Sequence, residues 1–142
     1  MDRIFILIGI INQLATTRIN RVLAELDLPM AQFVLLTHLS QKPKQGWTVT
    51  RLANALEVNQ PAMTKTSQKA LKKGFLRLEA DPNDKRVRIF FLTPEGLKTL
   101  GHAWEKLGPD LAEFRETWQA EELKKLQELL EHLKNQLDEA RD

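Results

Sequence analysis

A short stretch, residues 81–93 (DPNDKRVRIFFLT), interrupts a chain whose other apolar residues recur at helical spacing, and it limits the possible folds more than any other segment. Its first half is a cluster of turn-forming residues that separates two segments of β-favouring residues, 75–80 and 87–91. We therefore predict two strands joined by the connection 81–86. Lys85, Arg86 and Arg88 lie at the tip of this hairpin and just past it.

The segment before the hairpin predicts two helices joined by a tight turn. Thr48 or Thr50 can cap a short first helix. Asn59 is a good N-cap for the second helix, and Pro61 falls in its first turn, where the missing N–H costs nothing. This second helix is predicted to extend to residue 73, where Gly74 can adopt the left-handed conformation that ends many helices.

Longer helices are predicted on both sides, over residues 3–26, 30–40 and 94–115 and again after a break at 117–119. The most apolar run, residues 4–11 (IFILIGII), is too short for a membrane span, which needs roughly twenty residues. It also lacks the basic start and nearby cleavage site of a signal peptide. We interpret it as a buried helix. It could pair with a seam of leucines near the C-terminus, at Leu123, Leu126, Leu130, Leu133 and Leu137.

Charge is distributed unevenly along the chain. Residues 42–88 contain eleven Lys or Arg and four acids, whereas residues 89–142 contain seven basic and twelve acidic side chains. A middle third this basic indicates a polyanionic partner, although a solvated basic face is the alternative. The absence of cysteine excludes disulfides, thiolate zinc sites and thiol-based redox sensing, and it fits a cytoplasmic location.

The order short helix, tight turn, basic helix and hairpin is that of a helix-turn-helix followed by a wing. The second helix has a mostly small or apolar face and an opposite face that contains no acid. Side chains on that opposite face can bind base edges and phosphates, and Asp84 can stiffen the wing by pairing with Arg86 or with a backbone N–H. An ordinary amphipathic helix and an ordinary turn are the alternatives. The predicted DNA-binding residues are Asn59, Gln60, Pro61, Thr64, Lys65, Gln68, Lys72, Lys85, Arg86 and Arg88, and Lys69 and Lys73 are further phosphate candidates.

The hairpin resembles the wing of the MarR family of winged-helix transcriptional regulators, because Asp84, Arg86, Leu92 and Thr93 match its D-x-R-x-x-x-x-x-L-T signature. Supporting matches are Gln32-Phe33, Leu36, Leu52-Ala53, Leu71, Gly74 and Gly96. The resemblance implies a mainly α fold with a small β-hairpin, in which a winged helix-turn-helix lobe is flanked by N- and C-terminal dimerisation helices. Residues 1–142 would form one domain, with the lobe at 30–93 and the dimerisation helices at 1–28 and 94–142.

The resemblance also implies a homodimer that binds a pseudo-palindromic operator in double-stranded DNA. The recognition helices would lie in successive major grooves, and Arg86, supported by Asp84, would enter a flanking minor groove. Many relatives bind small aromatic acids between the dimer helices and the DNA-binding lobe. By that likeness, a small-molecule effector would be held by Asn12, Arg18, His38, Trp47 and Trp104.

Chemistry other than binding has little support in the sequence. The three histidines are far apart and lack a His or Cys partner at ligand spacing, so no metal site is predicted. Neither a nucleophile-elbow motif nor a phosphate-binding glycine loop is present, so we predict no enzyme activity and no cofactor.

We therefore predict a cytoplasmic, ligand-responsive repressor that reads a DNA sequence as a homodimer and has no membrane partner. One alternative is a DNA-binding architectural protein that ignores sequence. The other is a winged-helix module that binds another protein.

Overall fold

The computed structural model describes residues 2–141 and gives six helices and one two-stranded antiparallel sheet in that range. The elements are α1 (Arg3–Glu25), α2 (Met30–Ser40), α3 (Val49–Ala55), α4 (Gln60–Lys72), β1 (Leu76–Ala80), β2 (Arg88–Leu92), α5 (Pro94–Glu116) and α6 (Ala120–Glu139). The predicted fold, helical with one small hairpin, is confirmed. Each strand begins one residue later than the sequence indicated.

Local capping residues set where several of these helices begin. The side chain of Asp2 accepts a hydrogen bond from Ile4 N, and that of Thr48 accepts one from Arg51 N, so Thr48 rather than Thr50 caps α3. Asn59 accepts from Ala62 N at 2.8 Å and starts α4 as predicted. Gly74, with φ of +81°, takes the left-handed conformation directly after this helix.

The chain divides into two compact units at a boundary within α5, Met1–Lys106 and Leu107–Asp142. The first unit has a leucine-rich core in which Leu35, Leu36 and Leu52 have no exposed surface. The second unit contains the end of α5 and the whole of α6, and no residue of α6 is buried. Helix α5 remains helical through Pro109. The division into a lobe at 30–93 and flanking dimerisation helices stays a prediction.

The hairpin pairs Leu76 with Leu92 at its base and Ala80 with Arg88 near its tip. A segment that the sequence presented only as a loop adds to it, because the backbone of Trp47 exchanges two hydrogen bonds with Phe90, at 2.8 and 2.9 Å. Gly46 makes this approach possible, since a Cβ there would lie within 2.4–2.8 Å of the Ile89 and Phe91 side chains. The α2–α3 connection therefore braces β2.

Thr93 joins the base of the hairpin to the helices on both sides of it. Its hydroxyl donates to Gly74 O at 2.6 Å and accepts from Gly96 N at 3.0 Å, while its own N–H donates to Phe75 O. A Cβ on Gly96 would lie 2.3 Å from Phe75 O, so only glycine fits there. The end of α4, the wing and the start of α5 are thus held together in one cluster of hydrogen bonds.

The apolar start of α1 is exposed in the single chain, so its predicted burial stays a prediction. Ile4 retains 61% and Leu14 66% of their accessible surface, and Leu23 is the one buried residue of this helix. Within residues 2–141, no single helix combines the length and apolar character needed to cross a membrane. Helices α1 and α2 meet that test only when taken together, across a bend of 93°.

Candidate nucleic-acid interface

Helix α4 separates its residues onto two faces as the sequence indicated. Met63, Ser67 and Ala70 are buried against the rest of the lobe. The predicted DNA-binding residues of this segment are exposed, apart from the half-buried Thr64; they are Asn59, Gln60, Pro61, Lys65, Gln68 and Lys72. Because α4 contains no acid, its outer face presents only neutral and positive groups. Such a face can contact phosphates and base edges without electrostatic repulsion.

The first residue of α4 has a fixed orientation that the sequence did not reveal. Gln60 Nε2 donates a hydrogen bond of 2.9 Å to Thr50 Oγ1 in α3. This bond leaves the carbonyl oxygen of the same amide as an acceptor and holds the side chain at the start of the helix. Thr50 therefore supports the orientation of Gln60, a role that sequence reasoning missed. The two residues are ten positions apart, and a contact at that distance leaves no local sequence pattern.

The wing tip is shaped by two aspartates. Asp81 Oδ1 accepts from Asn83 N at 2.8 Å, which forms a tight turn at the entrance to the connection. Asp84 Oδ1 accepts from Arg86 N at 3.1 Å and from Arg86 Nε at 3.3 Å. Both pairings that were considered for Asp84, with the Arg86 side chain and with a backbone N–H, therefore occur together.

Arg86 remains available in spite of this pair. Its side chain is 92% exposed, and an exposed ion pair of this kind contributes at most about 1 kcal/mol. Lys85 and Arg88 are exposed on either side of it. The tip therefore presents three cations on a rigid turn, and the guanidinium of Arg86 can exchange its contact with Asp84 for a contact with an anion.

Further along the wing, Arg77 has two partners on the hairpin itself. Its guanidinium lies 4.3 Å from the centre of the Phe91 ring and forms an ion pair with Glu79. These contacts hold Arg77 along the sheet and give the middle of the hairpin little net charge. The basic character of the wing is concentrated at its tip.

Two of the five predicted effector-binding residues lie in direct contact. The rings of His38 and Trp47 meet edge to face, 4.8 Å apart, and the Arg51 guanidinium lies 4.7 Å from the Trp47 ring centre. Trp104 packs on Phe33 instead, at 5.2 Å. The other two predicted residues, Asn12 and Arg18, are exposed on α1.

The environment of His38 is apolar enough to affect its protonation. Burial lowers the pKa of His38 below its ordinary value of 6.5. Among residues 2–141, His38 Nε2 and Trp47 Nε1 are buried without a hydrogen-bond partner.

An open cavity of about 350 Å3 lies elsewhere in the first unit, lined by Asn20, Ala24, Asp27, Leu28 and Pro29, none of which was predicted to bind an effector. The effector site stays a prediction.

Lys73, directly after the last residue of α4, differs from the basic residues of that helix. Its Nζ donates hydrogen bonds to Asp27 O and Gln32 Oε1, at the corner between α1 and α2.

No group of three or more His, Asp or Glu side chains arranged to hold a metal ion occurs within residues 2–141.

Comparison with known proteins gives a consistent result. The sequence model of the MarR family matches residues 28–87. An uncharacterized HTH-type transcriptional regulator, YdcH, of Bacillus subtilis is 36% identical over 121 residues, which cover 81% of each chain. The multiple antibiotic resistance protein MarR of Salmonella typhimurium is 30% identical over 128 residues, covering 89% of this chain and 88% of that protein. The crystal structure of a mutant MarR from E. coli complexed with operator DNA superposes with a TM-score of 0.74 at 29% identity, covering 89% of this chain and 90% of the other.

Proposed function

This chain belongs to the MarR family, and from that premise we propose that it is a transcriptional regulator that binds double-stranded operator DNA in a sequence-specific way. Proteins of this family are regulators of transcription, so the chain is a regulator and not an enzyme. The observation that best supports DNA binding is the combination of an exposed, acid-free face on α4 with an exposed arginine at a braced wing tip.

The two surfaces suit different grooves. The start of α4, with Gln60 oriented by Thr50, fits the major groove, where amides and lysines can distinguish base pairs. The wing tip is a narrow turn, and an arginine on it suits the strongly negative minor groove of A/T-rich DNA. Asp84 holds the Arg86 backbone as well as its side chain, so the turn keeps its shape when the side chain binds DNA.

We propose that the protein acts as a homodimer on a pseudo-palindromic operator, as a repressor. The exposed apolar residues of α1 and α6 support the homodimer, since large apolar side chains at that density usually lie in an interface. Two recognition helices would then meet half-sites about one helical turn apart, on the order of 34 Å. Since the proposed partner is DNA, we place the protein in the cytoplasm.

Control by a small-molecule effector belongs to the same proposal. The two recognition helices must keep one spacing to fit the duplex, so a ligand that prefers another dimer geometry weakens DNA binding by its differential affinity. Operator release on titration with small aromatic acids would support this part of the proposal, and binding unchanged by every compound tested would count against it.

Selection of bound fragments from genomic DNA, followed by footprinting, tests the central proposal. We expect one protected palindrome and an affinity that falls steeply with salt. Arg86→Ala should weaken binding about five- to one-hundred-fold, most strongly on sites with A/T flanks. Arg21→Ala, which removes an exposed arginine from α1, is the matched control and should bind normally.

The same experiment distinguishes the two alternatives. Binding without a protected sequence would favour an architectural protein that ignores sequence. If the wild-type protein retains no fragment at moderate salt, a protein-binding winged helix becomes the better explanation, and DNA binding is refuted.

A further inference from the structure

The corner between α1 and α2 has a backbone conformation that is uncommon for its residue. Asp27 has φ of +49°, in the left-handed region where glycine is favoured and where aspartate is tolerated. Two hydrogen bonds from the amides of Asp27 and Leu28 to the end of α1 fix this turn. The turn leaves the carbonyl oxygen of Asp27 free to accept a bond from outside the helix.

Lys73, at the far end of the recognition helix, occupies that acceptor. Its Nζ donates to Asp27 O at 2.7 Å and to Gln32 Oε1 at 3.0 Å, and it lies 3.9 Å from the Asp27 carboxylate. The side chain of Lys73 is only 29% exposed, and Gln32 is 2% exposed. The same ammonium lies 5.8 Å from the centre of the Phe75 ring, next to the start of the wing.

We propose that Lys73 is a positioning residue for DNA recognition, which fixes the C-terminal end of α4 against the α1–α2 corner and does not contact phosphate. This inference rests on the proposed function. A helix anchored at both ends keeps one tilt, and here the N-terminal end is anchored by Gln60 to Thr50. The hydrogen bond from Lys73 to Gln32 anchors the C-terminal end. These two residues are 41 positions apart in the sequence.

The surroundings of Lys73 favour this role over phosphate binding. A lysine that moved to a phosphate would leave the buried Gln32 oxygen without its donor, and an unsatisfied buried acceptor is unfavourable. The neighbouring Lys72 is exposed and has no such anchor. The corner also faces α5, because Glu25 and Lys106 approach to 3.9 Å, so it lies where three helices meet.

The test compares two neighbouring lysines in the full-length protein. Lys73→Met should weaken binding to the selected operator about three- to thirty-fold, the range expected when a positioning contact is lost. Because no phosphate contact is removed, the slope of log affinity against log salt should stay at its wild-type value. Lys72→Met, which removes the same charge one residue earlier, should reduce that slope by about 0.9 if Lys72 contacts phosphate.

A second variant acts from the other side of the contact without changing any charge. Gln32→Leu replaces the buried acceptor by an apolar side chain of similar size, and Lys73 keeps its bond to Asp27 O, so its ammonium is not left without a partner. It should weaken operator binding in the same direction as Lys73→Met, and the loss in the double variant should be smaller than the sum of the two, because both changes remove the bond between Lys73 and Gln32. Lys73→Arg should recover part of the affinity.

Each result has a defined meaning. A lower salt slope for Lys73→Met would show a phosphate contact and overturn the inference, as would wild-type affinity in both Lys73→Met and Gln32→Leu. Affinity for non-specific DNA should be unchanged in both variants. If a variant instead lost folded protein, its affinity for non-specific DNA would fall as well. Failure of the wild-type protein to bind any operator would refute the proposed function instead.

Discussion

Helices α2 and α3 on one side and helix α6 on the other expose the same apolar residue type to very different degrees. In α2 and α3, Leu36 and Leu52 have no exposed surface, whereas in α6 Leu130 keeps 51% of its surface and no residue is buried. Both regions are nevertheless well-formed helices, and α6 begins with a capping bond from Gln119 N to Glu122 Oε2. The difference teaches that apolar residues at helical spacing form helices in both places, but those of α2 and α3 lie in a core whereas those of α6 do not.

The buried contacts around α4 and the wing explain how a small chain can keep its proposed DNA-contacting surface rigid. Thr93, Gly46 and Lys73 each fasten the wing or α4 to a neighbouring element through backbone or buried groups. In the N-terminal part of α1 and in α6, by contrast, most of the large apolar side chains are exposed. If a second copy covers those side chains, dimerisation can change without loss of the lobe, and the lobe can be damaged without loss of pairing.

The largest expected effect is on the terminal helices. Leu14, which is 66% exposed in the single chain, should become buried in the proposed dimer, so Leu14→Glu would place an unpaired charge in an apolar interface at a cost of more than about 3 kcal/mol. We expect monomers by sedimentation while the circular dichroism remains helical. Gln13→Glu, one residue earlier, should remain dimeric. An unchanged dimer for Leu14→Glu would exclude this face from the interface.

A matched pair of leucines tests whether the lobe is self-sufficient. Leu36→Ala should lower the free energy of unfolding by about 3 kcal/mol, because it removes buried methyl groups from a filled core, and this loss should not depend on protein concentration. Leu130→Ala should act through self-association, so its effect should grow as the protein is diluted. Chemical denaturation at two protein concentrations measures both. A concentration-dependent loss for Leu36→Ala would contradict the division between the two regions.

The parts of this structure that the sequence could predict depend on neighbours within a few residues. Asn59 caps α4, Gly74 ends it, and Asp84 binds Arg86, each through a contact spanning no more than a turn of helix or hairpin. Hydrophobic spacing likewise placed Met63 and Ala70 inside the lobe. These features follow from residue type and position alone.

Contacts between distant segments were not predictable in the same way. The bridge from Trp47 to Phe90, the bond from Gln60 to Thr50 and the bonds of Lys73 depend on how helices cross, which periodicity does not specify. Lys73 was consequently grouped with the phosphate candidates. Its charge shows that it can bind an anion, but it does not show which group Lys73 binds in the folded chain. The burial of residues 4–11 stays a prediction, because it depends on the proposed second copy and not on contacts within one chain.

A smaller effect concerns a polar group inside the lobe. Ser67 is fully buried on the inner face of α4, and its hydroxyl has no hydrogen-bond partner among residues 2–141. Ser67→Ala should therefore raise the free energy of unfolding by about 1 kcal/mol, because it removes an unsatisfied buried group. The change should leave operator affinity intact, since the outer face of α4 is untouched. Thermal unfolding measures the gain, and a loss of stability would mean that the hydroxyl has a partner in solution.

The smallest effect should appear as a dependence of lobe stability on pH. Burial against Trp47 lowers the pKa of His38 below 6.5, so the unfolded chain binds a proton at this site more readily than the folded chain. The contribution of neutral His38 is therefore fully present above pH 6.5 and is lost as the pH falls from 6.5 towards the folded pKa. His38→Phe keeps a ring against Trp47 but cannot titrate, so its stability should decline less than that of the wild type over this range. Chemical denaturation between about pH 5 and about pH 8, a range that brackets the ordinary histidine pKa, measures the difference. Parallel pH profiles for the two proteins would show that His38 is accessible enough to be protonated without cost.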